Sequence, residues 1–285
     1  MTRAFRFGVN MTAVGDRAEW IAKSRRAEEL GYDVILMPDH LSMAAPFPSL
    51  MLSAAVTTRP RLGTFVLNAG FWNPTLLARD AFAVNTYTDG RFELGLGAGY
   101  VREEFEAAGL GWPSAGERVT HLVDTVHKIL AAAEEVGQSL PIMVGGNGDR
   151  VLRLAAEHGD IVAFAGLKAV PDTTPPLEFI TSEELDERVE FVRAAADGRD
   201  YESNLLIQSV VVTDDRRGAA QEQIRRFGLD VSADFLLDVP ALLVGTYEEI
   251  AEQLRAQRDR FGISYFTVLE PSFEAFGPVI PMLRE

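Results

Sequence analysis

The sequence predicts an α/β chain folded as a (β/α)8 barrel, and three observations carry that prediction. Short apolar runs alternate with helix-like stretches through nearly all of the 285 residues. The runs are apolar on both faces, as parallel strands covered on two sides are, rather than alternating apolar with polar. No pair of neighbouring runs reads as a hairpin, so each strand is reached by a crossover and the sheet is parallel.

The elements follow in order. Phe5 to Asn10 is an apolar run. Asp16 then opens a helical stretch that carries Trp20, Ile21, Ala27 and Leu30 on one side and stops at Gly31, as Gly does after a helix. Val34-Ile35-Leu36-Met37 is the second strand. The phrase of helix end, Gly and strand recurs at Ala155–Ala163 and Asp259–Val268. Ser114…Glu117, Thr181…Glu184 and Thr246…Glu249 have the spacing of capping boxes and mark helix starts. Strands are expected near 5–10, 33–37, 61–67, 91–96, 141–144, 160–164, 205–212 and 264–268, with seven helical zones between them. Eight such units in this length fit a barrel with insertions at the C-terminal strand ends; a doubly wound open sheet is the alternative. With no linker or composition break, residues 1–285 read as one domain. The Pro- and Thr-rich stretch from Gly166 to Ile180 (Pro171, Thr173, Thr174, Pro175, Pro176) reads as a long, lid-like loop.

Composition narrows the function. The net charge is −15, from 42 acidic and 27 basic residues, which argues against nucleic acid or an anionic membrane as partner. There is no Cys, hence no disulfide, thiolate metal site or cysteine nucleophile. No apolar run approaches a membrane span, and Met1–Arg6 lacks the apolar core of a secretory signal. A cytoplasmic protein acting on a small molecule is expected. Only Lys23, Lys128 and Lys168 are lysines; the other basic residues are Arg, a skew that reflects a GC-rich genome.

In a (β/α)8 barrel the site lies at the C-terminal strand ends. Those ends are Asn10, Met37-Pro38-Asp39-His40, Val66-Leu67-Asn68, Gly97-Ala98-Gly99-Tyr100, Gly145-Gly146-Asn147-Gly148, Phe164-Ala165 and Glu270-Pro271, while strand seven puts Gln208 or Ser209 within an otherwise apolar run. Gly145–Gly148 joins a buried strand to a helix over 149–158. It reads as a phosphate cradle or as a plain tight turn. Gly95-x-Gly97-x-Gly99 lacks the third Gly and the acidic residue of a dinucleotide fingerprint. His40 is placed to act as general acid or base, or to cap a loop. His121 and His127, six apart on one helix, face different sides; with His158 they read as structural, and no metal site is expected. The acidic run Glu103-Glu104-Phe105-Glu106 reads as a solvated helix start, and Phe71-Trp72 as packing or as one wall for a planar ligand. Neither a serine-hydrolase elbow nor a P-loop is present.

Four segments, in this order and spacing, resemble the luciferase-like monooxygenase superfamily, and within it the deazaflavin (coenzyme F420)-dependent oxidoreductases. They are Ala27–Val34 with Pro38-Asp39-His40, Leu62–Thr64 through Asn73-Pro74, Gly90–Tyr100, and Pro141–Gly146. The ending Val244–Ile250 matches as well. The resemblance implies F420 as cofactor, with FMN as the alternative, and a homodimer. It implies that Asp39 contacts the ring system and that His40 stands beside its reactive face. Phe65–Val66 matches a non-prolyl cis peptide forming a bulge behind the ring, and Asn68 would bond its polar edge. Ala98 and Gly99 would lie along the side chain, while Gly145, Gly146, Asn147 and Gly148 hold its phosphate. Sugar-phosphate dehydrogenases of this branch carry a catalytic Glu where this chain has Tyr100. A sugar phosphate is therefore not the expected substrate, and Tyr100 becomes a candidate proton donor beside His40. Two enzymatic functions are implied: hydride transfer to or from a C=C, C=N or C=O bond or an alcohol, and FMN-dependent monooxygenation fed by a separate reductase. A barrel that binds a flavin-like ligand without turnover is the third possibility.

Overall fold

The computed structural model describes residues 3–13, 15–169 and 177–284. The first half of the chain runs β1 (Arg6–Asn10), α1 (Arg17–Leu30), β2 (Val34–Met37), α2 (Pro46–Ala54), β3 (Arg61–Thr64), β4 (Leu67–Asn68), α3 (Pro74–Tyr87), β5 (Phe92–Gly97), α4 (Arg102–Ala107) and α5 (Ala115–Val136). It continues through β6 (Ile142–Gly145), α6 (Asp149–His158), β7 (Ile161–Phe164), β8 (Leu167–Ala169), β9 (Leu177–Phe179), α7 (Ser182–Ala196) and β10 (Glu202–Ile207). The end comprises β11 (Ser209–Val212), α8 (Arg216–Phe227), α9 (Ala233–Asp238), β12 (Leu242–Gly245), α10 (Tyr247–Phe261), β13 (Tyr265–Leu269) and α11 (Phe273–Phe276).

The main sheet has the order β3-β2-β1-β13-β10-β7-β6-β5-β4, and β3 also pairs with β5. That last pairing closes the sheet, with β3 and β4 sharing one position. The result is an eight-position parallel barrel, not an open doubly wound sheet. Its interior is filled by Val34, Leu36, Phe65, Met143, Ile161, Ala163 and Tyr265. A second, larger core lies between strands and helices and includes Phe7, Val9, Ile35, Leu94, Leu122, Val126 and Phe266.

The helix signals act as expected. Ser114, Thr181 and Thr246 each accept from the amide three residues on, and Glu117, Glu184 and Glu249 return the bond. Asp16 and Glu19 form a fourth such box at α1. Gly31 closes α1 in the left-handed conformation (φ 90°).

Three expectations are corrected. The run 61–67 is not one strand: the Phe65–Val66 peptide is cis and separates β3 from β4. The run 205–212 is broken at Gln208, whose amide donates to Ala241 O (2.8 Å). This turns β11 out of the barrel to pair with β12. A hairpin does exist: β8 and β9 pair antiparallel within the stretch expected to be a loop. The Pro- and Thr-rich residues of the expected lid, 170–176, lie outside the described residues.

The amino-terminal rim is closed by ion pairs. Arg6 bonds Glu93 and Glu202, and Arg61 also bonds Glu93. The Arg6 guanidinium lies over the Tyr265 ring, 4.5 Å from its centroid. Two clefts, of about 530 and 350 Å3, open at this end. All of the candidate site residues lie at the other end.

Candidate active site at the carboxyl-terminal rim

Because the strands are parallel, Met37, Asn68, Gly97 and Gly145 end at the same rim. β2, β3/β4, β5 and β6 are consecutive neighbours, so the segments that follow them form one arc from His40 to Gly148.

At one end of the arc, His40 Nδ1 lies 3.0 Å from Glu104 Oε1 and 3.1 Å from Oε2. Glu104 Oε1 also accepts from the Leu41 amide (3.1 Å). The carboxylate thus fixes both the ring and the backbone beyond it. With Nδ1 held by a carboxylate, Nε2 is the nitrogen left for a substrate. Tyr100 meets the His40 ring edge-on, centroids 6.0 Å apart. Tyr100 is 69% exposed, and its pKa is raised first by desolvation and then by the Glu104 charge. At neutral pH the phenol keeps its proton.

Asp39 turns away from this cluster. Its Oδ2 accepts from Trp72 Nε1 (3.0 Å) and from the Asn68 amide (3.2 Å). Burial raises the Asp39 pKa, and these two donors oppose the rise. Trp72 in turn packs edge-on against Phe47. Of the Phe71–Trp72 pair, one ring therefore fixes the position of Asp39. Asn68 caps the turn that follows it, its Oδ1 accepting from Gly70 N (3.0 Å). Its Nδ2 is what it can offer a ligand.

The bulge at Phe65–Val66 is seated by glycines. A Cβ on Gly97 would stand 2.7 Å from Val66 Cγ2, and one on Gly145 would stand 3.2 Å from Val66 Cγ1. Of the glycines resembling a dinucleotide fingerprint, Gly97 thus makes room for Val66, and Gly145 does so from the neighbouring strand. Asn10 Nδ2 donates to Phe65 O (3.3 Å). Asn10 Oδ1 is buried without a partner among the described residues.

Between the two ends of the arc, Gly99 has φ +74°, and a Cβ there would fall 2.2 Å from Asn68 Oδ1. Arg118 donates to Gly99 O (3.0 Å) and stacks over Trp112. Ala98, half-buried, packs against the core. Asn147 Nδ2 bonds Leu167 O, while its Oδ1 is buried without a partner among the described residues. A Cβ on Gly148 would meet open space. Gly148 is the N-cap of α6 and contributes no side-chain bond to it, so the first amides of α6 keep their capacity for an anion. Buried unpaired acceptors, open space over a glycine turn and an uncapped helix start fit a planar cofactor with a phosphate-bearing tail.

All twelve residues singled out in the sequence lie along this arc. Glu104 is the correction: its acidic run predicts a solvated helix start, yet its side chain is only 15% exposed and holds His40. Trp72 and Asn10 also have a larger part in the site than their sequence positions suggest. Nothing local separates Glu104 from Glu103 or Glu106, except that it precedes Phe105, which is buried and anchors α4. Among the described residues, no helix is long and apolar enough to cross a membrane.

Residues 3–265 match the family model of the luciferase-like monooxygenases. The chain belongs to that family. It is 29% identical over 150 residues to the 5,10-methylenetetrahydromethanopterin reductase of Archaeoglobus fulgidus, covering 47% of this chain and 45% of that one. It is 30% identical over 173 residues to the F420-dependent glucose-6-phosphate dehydrogenase of Intrasporangium calvum, covering 50% and 52%. It is 28% identical over 124 residues to the 4-hydroxyprotoasukamycin monooxygenase of Streptomyces nodosus subsp. asukaensis, covering 42% and 32%. The matches thus span about half or less of those relatives' length. Among solved structures, an F420-dependent secondary alcohol dehydrogenase in complex with an F420–acetone adduct superposes with a TM-score of 0.78 at 16% identity. That superposition covers 99% of this chain and 100% of that one. A long-chain alkane monooxygenase superposes with a TM-score of 0.76 at 14% identity, covering 99% and 92%. At such identities these structures speak for the fold.

Proposed function

We propose that the chain is an F420-dependent oxidoreductase that moves a hydride between the deazaflavin and a small organic substrate. The observation that carries this is the His40–Glu104 pair (3.0 Å) at one end of the arc whose other end is the glycine turn Gly145–Gly148. The relatives named for F420-dependent reactions support the choice of cofactor.

When bound, the deazaflavin supplies the carbon that gives or accepts the hydride. The residues of the chain do the rest. Val66, on its glycine seat, backs the ring system, with Phe65 beside it. Asp39, Asn68, Ala98 and Gly99 border the ring and the start of its side chain. Gly145, Gly146, Asn147 and Gly148, with the start of α6, hold the phosphate. His40 Nε2 takes the proton of an alcohol as it is oxidised, or returns one to a substrate being reduced. Glu104 orients the imidazole, and the protonated phenol of Tyr100 donates a hydrogen bond to the reacting oxygen or nitrogen.

Similarity to the 4-hydroxyprotoasukamycin monooxygenase carries the second reading, an FMN-dependent monooxygenase fed by a separate reductase. The two are told apart by turnover. Secondary alcohols, activated alkenes, imines and ketones are screened against the deazaflavin by its absorbance, under argon and in air. Equal rates in both atmospheres are expected. Turnover that needs oxygen and reduced FMN would establish the second reading instead.

A further inference from the structure

On the outer layer of the barrel, away from the rim, two histidines meet. His127 stands on the exposed face of α5 and His158 is the last residue of α6. Their Nε2 atoms are 3.2 Å apart, the ring centroids 4.8 Å apart, and the ring planes nearly perpendicular at 88°. Two imidazole nitrogens bound to one tetrahedral ion at about 2.0–2.1 Å stand roughly 3.3 Å apart. The two nitrogens share one N–H···N hydrogen bond here, at a separation that also suits chelation once an ion replaces that proton.

We propose that His127 and His158 form a two-histidine site for a borderline divalent transition cation such as Zn2+, Ni2+ or Cu2+. The site clips the C-terminal end of α6 to α5. Water completes the coordination shell, because no group of three or more His, Cys, Asp or Glu suited to a metal exists among the described residues. The helices are already held near their other ends, where Arg150 of α6 donates to Gly116 O (3.2 Å) and Thr120 Oγ1 (3.0 Å) of α5. The ion would add a second tie about two turns further on. Imidazole donors select nitrogen-seeking ions over Mg2+ or Ca2+.

The test is calorimetric titration of the untagged protein with Cu2+, Ni2+, Zn2+ and Mg2+. It is repeated on His127→Gln, which changes an exposed side chain, and on His158→Ala. One ion per chain is expected, tightest for Cu2+ and undetectable for Mg2+, with either substitution weakening binding roughly tenfold or more. Zn2+ should raise Tm in the wild type and leave it unmoved in His127→Gln. Undiminished binding by folded His127→Gln, or metal binding without the Tm rise, would overturn the proposal.

Discussion

His40 Nδ1 and Glu104 lie 3.0 Å apart although 64 residues separate them, one following β2 and the other in the first turn of α4. A carboxylate in this place selects which imidazole nitrogen faces the substrate. His40→Ala should lower turnover by ~10²–10⁴-fold. Glu104→Gln keeps an acceptor but loses the charge, and should lose roughly tenfold or more with an altered pH–rate profile. Steady-state kinetics on both variants check this, alongside cofactor binding, which should hold in each. Full activity in His40→Ala would remove the proton-transfer role.

The contact of Gly99 with Asn68 gives a stability prediction with its own control. Gly99→Ala puts a Cβ 2.2 Å from Asn68 Oδ1 at φ +74°. It should cost about 1–3 kcal/mol and weaken cofactor binding by displacing the Asn68 amide. Gly90 has a similar φ of +77°, but a Cβ there would meet nothing within 4 Å. Gly90→Ala should cost less and leave binding intact. Urea unfolding and ligand titration of the two variants separate steric from conformational cost.

At the opposite rim, Glu93 is buried and serves both Arg6 and Arg61. Glu93→Gln leaves Arg61 facing a neutral amide while Arg6 keeps Glu202, which should cost about 1–3 kcal/mol. Chemical denaturation measures it. A loss below about 1 kcal/mol would show that solvent already carries those charges.

Acid should loosen the end of β1 through Glu270. Burial raises the Glu270 pKa, but Lys23 and the amides of Ala13 and Thr12 outweigh it, and the net shift is downward. A carboxyl depressed in the fold stabilises above its unfolded pKa, about 4.3. That stability is lost as pH falls through the lower, folded value. Glu270→Gln should therefore lower stability at pH 7 and flatten the acid limb of the stability–pH curve. An unchanged limb would assign it to other carboxyls.

Much of the fold and the rim is legible in the sequence, and the rest is not for identifiable reasons. Both-face apolar runs and capping boxes encode strands and helix starts locally, so the barrel order and the rim residues can be read directly. The break at Gln208 cannot: Val210 to Val212 continue the apolar run, and only the tertiary pairing of β11 with β12 turns the chain outward. Glu104 is hidden because acidic first turns are common on solvated helices; its role depends on His40, which arrives from another strand end. The His127–His158 contact joins two helices 31 residues apart, a separation without periodic meaning.

The most direct test of the central claim is a side-by-side titration of the purified protein with oxidised F420 and with FMN, read by fluorescence. The account predicts tight binding of the deazaflavin, weak or no binding of FMN, and an unchanged deazaflavin affinity in His40→Ala. Tight binding of FMN with none of the deazaflavin would contradict it and move the protein to the monooxygenase side of its family.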